Sequence, residues 1–387
     1  MKEPPIEPSV AIGGGGAVGL FLALALAHRG NRVNVFEKRE EPRVTSRSIG
    51  IHPPSLEALA ELSLDREFVE RGLHVEHAEA RSENGMLGEI DFAVCAPPFR
   101  YVLTLPQDQT EAILRRAAER SDRISLERAT AVSVAALPDR ASLRLSRADG
   151  TIERRDFSAA VGCDGKHGAM RRSLGIELEG ARYPGGYAMA DFPDRTSFGA
   201  KAIVFLGREG LLESFPLPGG IRRWVARCDV AESDAARAIV QCVQARARVT
   251  LDEGEATHAS TFHAERFIAR TFSRGRVALA GDAAHSISPI GGQGMNLGWL
   301  GARSLARVLS TALRRGDSVA RALARDAERR RSMALIAARR AELNMWLGRP
   351  TKGTPIRDGL VGLLLGSPAQ HVLARMFTMR GLDLGFV

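Results

Sequence analysis

Ser9-Val10-Ala11-Ile12-Gly13-Gly14-Gly15-Gly16-Ala17-Val18-Gly19 decides the fold of this 387-residue chain. Ser9 to Ile12 reads as a short buried strand. Gly14 to Gly19 then fits G-x-G-x-x-G, and Leu20 to His28 reads as a helix that Gly30 can end. Val33-Asn34-Val35-Phe36 alternates like a second strand and delivers Glu37, with Lys38 beside it. Glu37 follows Gly14 at close to the roughly 20-residue offset expected of a ribose-binding acid. In this pattern Gly14 makes the tight turn, Gly16 admits a pyrophosphate, and Gly19 lets helix and strand pack closely. Ala17 and Val18 complete the loop. An acid at position 37 argues against a 2′-phosphate on the bound nucleotide, but the fingerprint does not separate FAD from NAD.

A second informative stretch lies far away in sequence. Val277-Ala278-Leu279-Ala280 reads as a buried strand, followed by Gly281-Asp282-Ala283-Ala284-His285, Pro289 and Gly291-Gly292-Gln293-Gly294-Met295-Asn296. Leu297, Leu300, Leu305 and Val308 then carry a helical pattern. An acid just past a strand can accept hydrogen bonds from sugar or polyol hydroxyls. Glycines ahead of a helix let backbone N–H groups approach a ligand, and the helix N-terminus favours negative charge there. The two ends together suggest one long cofactor held across the fold. His285 reads first as a structural histidine bonded to local backbone.

With a third segment, Val161-Gly162-Cys163-Asp164-Gly165-Lys166-His167-Gly168-Ala169-Met170-Arg171, the set resembles the single-component FAD-dependent aromatic hydroxylases of the para-hydroxybenzoate hydroxylase-like group. The resemblance runs from about residue 9 to about residue 346. It implies an α/β fold: a Rossmann-like FAD-binding domain, an inserted antiparallel-sheet substrate domain and a helical C-terminal region. Asp164 and Gly165 look like the family's Asp-Gly pair near the pyrophosphate. Arg47 resembles an arginine that reaches the phosphates, Gln107 a glutamine on the ribityl side, and Asp282 the ribityl acid. Pro289 is expected to face the flavin ring. The backbone at Gly292, Gly294, Met295 and Asn296 is expected at its N1/O2 edge. The implied chemistry is hydroxylation of a phenol-like or heteroaromatic small molecule with NAD(P)H and dioxygen, through a C4a-hydroperoxyflavin on non-covalent FAD. A flavin oxidase, dehydrogenase or reductase, and a non-catalytic FAD-binding redox sensor, are the competing readings. The chain departs from the family at Gly168, where serine is usual, and at Gly301-Ala302, where Asp-Ala is usual.

Composition bounds the rest. Net charge is +9 and the pI near 10.0, yet almost all of the positive charge is arginine scattered among acids. With 5% aromatic residues, a nucleic-acid platform is not expected. No signal pattern and no run of membrane-span length are visible, so a cytoplasmic protein is expected, either monomer or homodimer. Cys95, Cys163, Cys228 and Cys242 are too scattered for a metal site or a disulfide frame.

The expected division is residues 1–72, 99–178 and 271–317 for FAD, 73–98 and 179–270 for substrate, and 318–387 as the helical region. Val75 to Arg81 and Met86 to Phe92 suggest a hairpin. A helix at about Asp234 to Ala247, with Ser233 as its cap, interrupts the substrate lobe. Met189, Phe205, Phe215 and Trp224 are candidates to face a substrate ring, although strand spacing makes plain core the ordinary reading. Arg329-Arg330-Arg331 reads as a solvated helix face. Leu360 to Leu365 reads as an apolar run packed on its own domain, with a dimer surface or lipid-facing patch as alternatives.

Overall fold

The computed structural model describes residues 9–40 and 48–381. Five parallel strands form the heart of its first sheet, in the order Ile124–Ala136, Arg32–Glu37, Ser9–Gly13, Ala159–Gly162 and Val277–Leu279. Two antiparallel strands, Ala141–Arg147 and Ile152–Phe157, extend one edge, and Ser273–Arg274 closes the other. The helix Ala17–His28 makes the crossover between the first two parallel strands, as the sequence predicts. It is apolar nearly all round because it is sandwiched, with the helix Gln293–Arg315 packed on it. Trp299 pins that pair. Its fully buried ring lies 5.6 Å from Phe21 and 6.1 Å from Phe68, and its Nε1 donates to the Ala17 carbonyl at 3.0 Å.

The second sheet also has eight strands, running from His285–Ser286 through Thr257–Ala269, Leu178–Pro193, Ile221–Arg227, Gly210–Leu217 and Ala202–Gly207 to the hairpin His77–Ser82 and Gly85–Asp91. It departs from the purely antiparallel expectation at one seam, where Ala202–Gly207 pairs in parallel with His77–Ser82. The hairpin enters from a distant part of the chain, so no short turn dictates its direction. One face of this sheet carries Ile203, Phe205, Leu212 and Trp224 under the helix Ala235–Ala247. Ser233 does not cap that helix. It lies within a 3₁₀ turn, Glu232–Asp234, and Asp234 takes the cap position without a side-chain bond. The opposite face carries Tyr187, Met189, Leu211 and Val225, with Phe215 and Val204 at its margin.

The tail is helical, with Val319–Leu347 capped by the Ser318 hydroxyl, then Thr354–Leu365 and Ala369–Phe377. The triple arginine is not all solvated. Arg330 is 4% exposed and donates to Asp326 Oδ2 and to the Leu279 carbonyl, each at 2.6 Å. The helix phase turns that one arginine inward, a placement the charge run alone conceals. Leu365 and Val361 are buried against the second sheet, while Leu363 is 70% exposed. The apolar run thus packs on its own chain along one side only. Among the described residues, no helix is long and apolar enough to cross a membrane.

Candidate functional site

The loop after the first strand has no room for side chains at its turns. Gly14 has φ +105°, and a Cβ there would sit 2.3 Å from the Cys163 carbonyl oxygen. A Cβ at Gly19 would sit 1.9 Å from the Gly14 carbonyl oxygen, so the helix starts pressed onto the loop. At Gly16 the nearest atom would be 3.8 Å away, because this residue faces open space. Gly16 is the N-cap and supplies no side-chain cap. The first-turn N–H groups are therefore left for a ligand.

Glu37 grips this loop. Its carboxylate accepts from Gly15 N at 2.7 Å, and from Arg39 N and Nε at 2.9 and 3.1 Å. Burial alone would raise its pKa, but the N–H donors of Arg39 and Gly15 outweigh it and hold the carboxyl below its usual range.

The Asp282 segment meets the same loop. Val18 packs against both Gly281 and Gly298, where added Cβ atoms would lie 3.2 and 2.6 Å from it. Asp282 occupies the 3₁₀ turn Gly281–Ala283, just past the strand Val277–Leu279. Beyond it, Gly292 N donates to the Pro289 carbonyl at 2.8 Å. Gly291 and Gly292 have φ +89° and +65°, and Gly292 caps the long helix, again without a side-chain bond.

One cavity of about 600 Å³ joins these parts. Gly14, Gly16, Ala17, Val18, Gly19, Glu37 and Lys38 line one end. Gln107, Asp164, Gly165 and Asp282 also border it, as do Pro289, Gly292, Gly294 and Met295. Both uncapped helix N-termini thus open onto a single space, an arrangement suited to an anionic, elongated ligand. Arg47 lies outside the described residues. Asn296 is not among the lining residues. Its side chain donates to the Gly50 and Gly292 carbonyls at 2.8 and 2.9 Å and accepts from His52 N at 2.9 Å, which ties the Gly292 turn to the strand Gly50–Ile51.

The departure at Gly168 has a physical counterpart. A Cβ there would fall 2.0 Å from Asp164 Oδ1, so the carboxylate occupies the space a serine side chain needs. Asp164 Oδ2 accepts from Met170 N at 2.9 Å, while Oδ1 is buried with no partner among the described residues. Burial raises this carboxyl above its ordinary range. Gly168→Ser is expected to destabilise the protein by about 1–3 kcal/mol through overpacking. Adding Asp164→Ala should recover most of that loss, and a double-mutant cycle by urea denaturation measures it. At the other departure, Gly301, a Cβ would lie 3.3 Å from Arg330 Cδ. The acid balancing Arg330 is Asp326, itself bonded by Ser304 Oγ at 2.6 Å.

Sequence reasoning missed His52. It is buried against the Gly291–Gly292 turn, and only the fold brings it there. His285 is buried too, beside Phe272 and Arg330, and does not line the large cavity. Burial holds both imidazoles at about 4, with Arg330 adding to the effect at His285. An unfolded histidine titrates near 6.5, so the unfolded chain binds more protons as pH falls below that value. Stability should therefore drop between pH 6.5 and 4, by about 2 kcal/mol per histidine at pH 5. Urea midpoints at pH 7 and pH 5 check this, and His52→Gln should shrink the difference. Of the four candidates to face a ring, Phe205 and Trp224 belong to the face under Ala235–Ala247, whereas Met189 and Phe215 lie on the opposite face.

Comparison with known proteins places this geometry. The profile of the FAD binding domain family matches residues 7–341. A 6-methylpretetramide 4-monooxygenase of Streptomyces rimosus is 33% identical over 322 residues, covering 79% of this chain and 56% of that protein. A pentachlorophenol 4-monooxygenase of Sphingobium chlorophenolicum is 28% identical, covering 76% of this chain and 56% of that protein. The chain thus spans little more than half the length of these relatives. The crystal structure of a p-nitrophenol 4-monooxygenase from Pseudomonas putida DLL-E4 superposes with a TM-score of 0.87 at 22% identity, over 97% of this chain and 98% of that one, a likeness of fold. With one profile running through the glycine loop, the Asp164 turn and the Asp282 segment in order, this chain belongs to the FAD binding domain family, and the relatives above are monooxygenases.

Proposed function

We propose that this protein hydroxylates a small phenol-like or heteroaromatic molecule, using one non-covalent FAD, NAD(P)H and dioxygen. The observation that carries the reading is the single cavity of about 600 Å³ shared by the glycine loop, Glu37, Asp282 and Pro289. The donor set fits FAD end to end. Glu37 and Lys38 suit the adenosine ribose, and the N–H groups at the Gly16 N-cap suit the pyrophosphate. Arg47 is assigned to the phosphates on the family resemblance alone. Gln107 and Asp282 suit the ribityl hydroxyls. Pro289, Gly292, Gly294 and Met295 suit the ring, with the backbone of Asn296 behind them and its side chain holding the turn. Asp164 and Gly165 border the middle of the path.

When bound, FAD supplies the redox chemistry: it accepts two electrons from NAD(P)H and lets one atom of dioxygen reach the substrate. The chain's own part is to bind, orient and exclude water. The N-terminus at Gly292 would place positive potential beside a flavin ring held at Pro289, and so would favour negative charge on it. The apolar residues Phe262 and Ile287, which line the cavity with Pro289, would keep the ring end dry. The names of the relatives, which include monooxygenases of pentachlorophenol and p-nitrophenol, favour a phenolic substrate. Residues 1–72, 99–178 and 271–317 then form the cofactor domain, with 73–98 and 179–270 over the substrate.

The test is oxygen accounting. Purified protein reconstituted with FAD is expected to oxidise NADH or NADPH faster when a phenol is added, and to transfer ¹⁸O from ¹⁸O₂ into the product. Hydrogen peroxide without labelled product would favour an oxidase. FAD binding without turnover by either nicotinamide would favour a redox sensor.

A further inference from the structure

Glu213 is a buried acid that the cofactor cavity leaves unused. It sits in the strand Gly210–Leu217, in register between Val204 and Val225. Strand alternation puts its side chain on the face of Leu211 and Phe215, and the cross-strand row continues to Met189. That face adjoins the cavity through Phe262. Tyr187 stacks on Phe262 at 5.3 Å with an interplanar angle of 9°, and Phe262 lines the cofactor cavity. Ile290, the residue after Pro289, packs in the same apolar cluster.

Glu213 is 6% exposed, and no hydrogen bond or ion pair with a described residue reaches its carboxyl. Burial pushes the carboxyl up to about 8, so it is largely protonated at neutral pH. The neighbouring charges do not neutralise it. Arg223 is held by Asp191 through bonds of 2.6 and 2.7 Å. Arg227 donates to the Pro184 carbonyl at 3.2 Å. A buried acid with no protein partner calls for a reason.

We propose that Glu213 reads the substrate, its carboxyl forming a hydrogen bond with a phenolic hydroxyl on a ring held near Tyr187 and Phe262. The inference rests on the hydroxylase reading and narrows its substrate class. A hydroxyarene fits, whereas an aromatic carboxylate would meet an acid with the nearby buried arginine already committed to Asp191. Removing the hydroxyl from the ligand, or the carboxyl from the protein, leaves one polar group buried and unpaired.

The experiment uses protein reconstituted with FAD and three probes: 2-naphthol, 2-methoxynaphthalene and 2-naphthoate. Dissociation constants come from the perturbation of the bound flavin spectrum. The wild type is expected to prefer 2-naphthol over each of the others by about tenfold or more. Glu213→Leu should reduce that preference to about twofold or less without changing FAD affinity, because Glu213 does not line the cofactor cavity. Glu213→Gln, which keeps a donor and an acceptor, should retain most of it. No hydroxyl preference in the wild type, an undiminished preference in Glu213→Leu, or tightest binding of 2-naphthoate would overturn the proposal. Failure of the wild type to bind FAD would instead sink the hydroxylase reading. Flavin reduction by NAD(P)H with no hydroxyl preference would sink this inference alone.

Discussion

Gly14→Ala is expected to yield a protein that purifies without FAD. The added methyl would approach the Cys163 carbonyl oxygen to 2.3 Å, and its φ of +105° is one that an L side chain rarely adopts. The contact is backbone on backbone, so no rotamer change relieves it. The loop must shift, and with it the bond from Gly15 N to Glu37 and the register of the helix start. A loss of at least about 100-fold in FAD affinity is expected, about 2.7 kcal/mol. Titration of the apoprotein with FAD, followed by quenching of flavin fluorescence, measures it. Gly16→Ala is the control. Its methyl meets nothing closer than 3.8 Å, so the empty protein should keep its thermal midpoint while the methyl intrudes on the ligand's path. Near-wild-type affinity for Gly14→Ala would contradict the role given to this turn.

Trp299→Ala carries the largest expected stability cost. The ring is fully buried between Phe21 and Phe68, and its Nε1 holds the Ala17 carbonyl. Truncation should cost about 3–5 kcal/mol. Trp299→Phe retains most of the packing but loses the hydrogen bond, worth about 1 kcal/mol. Urea denaturation, with unchanged slope and shifted midpoint, distinguishes the two. Because Trp299 fastens the helix that follows the glycine loop to the helix that follows Gly292, the alanine variant should also weaken FAD binding. A variant that loses stability yet binds FAD normally would show that the two helices hold their positions independently.

These two residues mark what the sequence reveals and what it hides. Gly14 was legible because its constraint is local: a strand, a turn needing positive φ, and a helix occur in one short run. The positions of Glu37, Asp282 and Pro289 beside one cavity were legible for the same reason, since each follows a strand or precedes a helix. Trp299 was not, because its partners Phe21 and Ala17 come from the opposite end of the chain, and an indole in a helix looks like any core residue. The tie made by the Asn296 side chain was hidden, because its partners Gly50 and His52 come from a distant part of the chain. Gly168 was visible as a departure, but the Asp164 carboxylate lying over it was not, because that is a matter of side-chain direction. The parallel seam between Ala202–Gly207 and His77–Ser82 was hidden because strand alternation carries no information on direction. Arg330 was hidden inside a charge run, where only the helix phase reveals which arginine turns inward.

The most direct test of the account is a crystal structure of the protein grown with FAD. The account predicts continuous density through the cavity, with adenosine at Glu37, pyrophosphate at the Gly16 helix start, the ribityl chain at Asp282 and the ring beside Pro289. Density in the reverse direction, FAD bound elsewhere, or a cavity that stays empty at saturating FAD would contradict it.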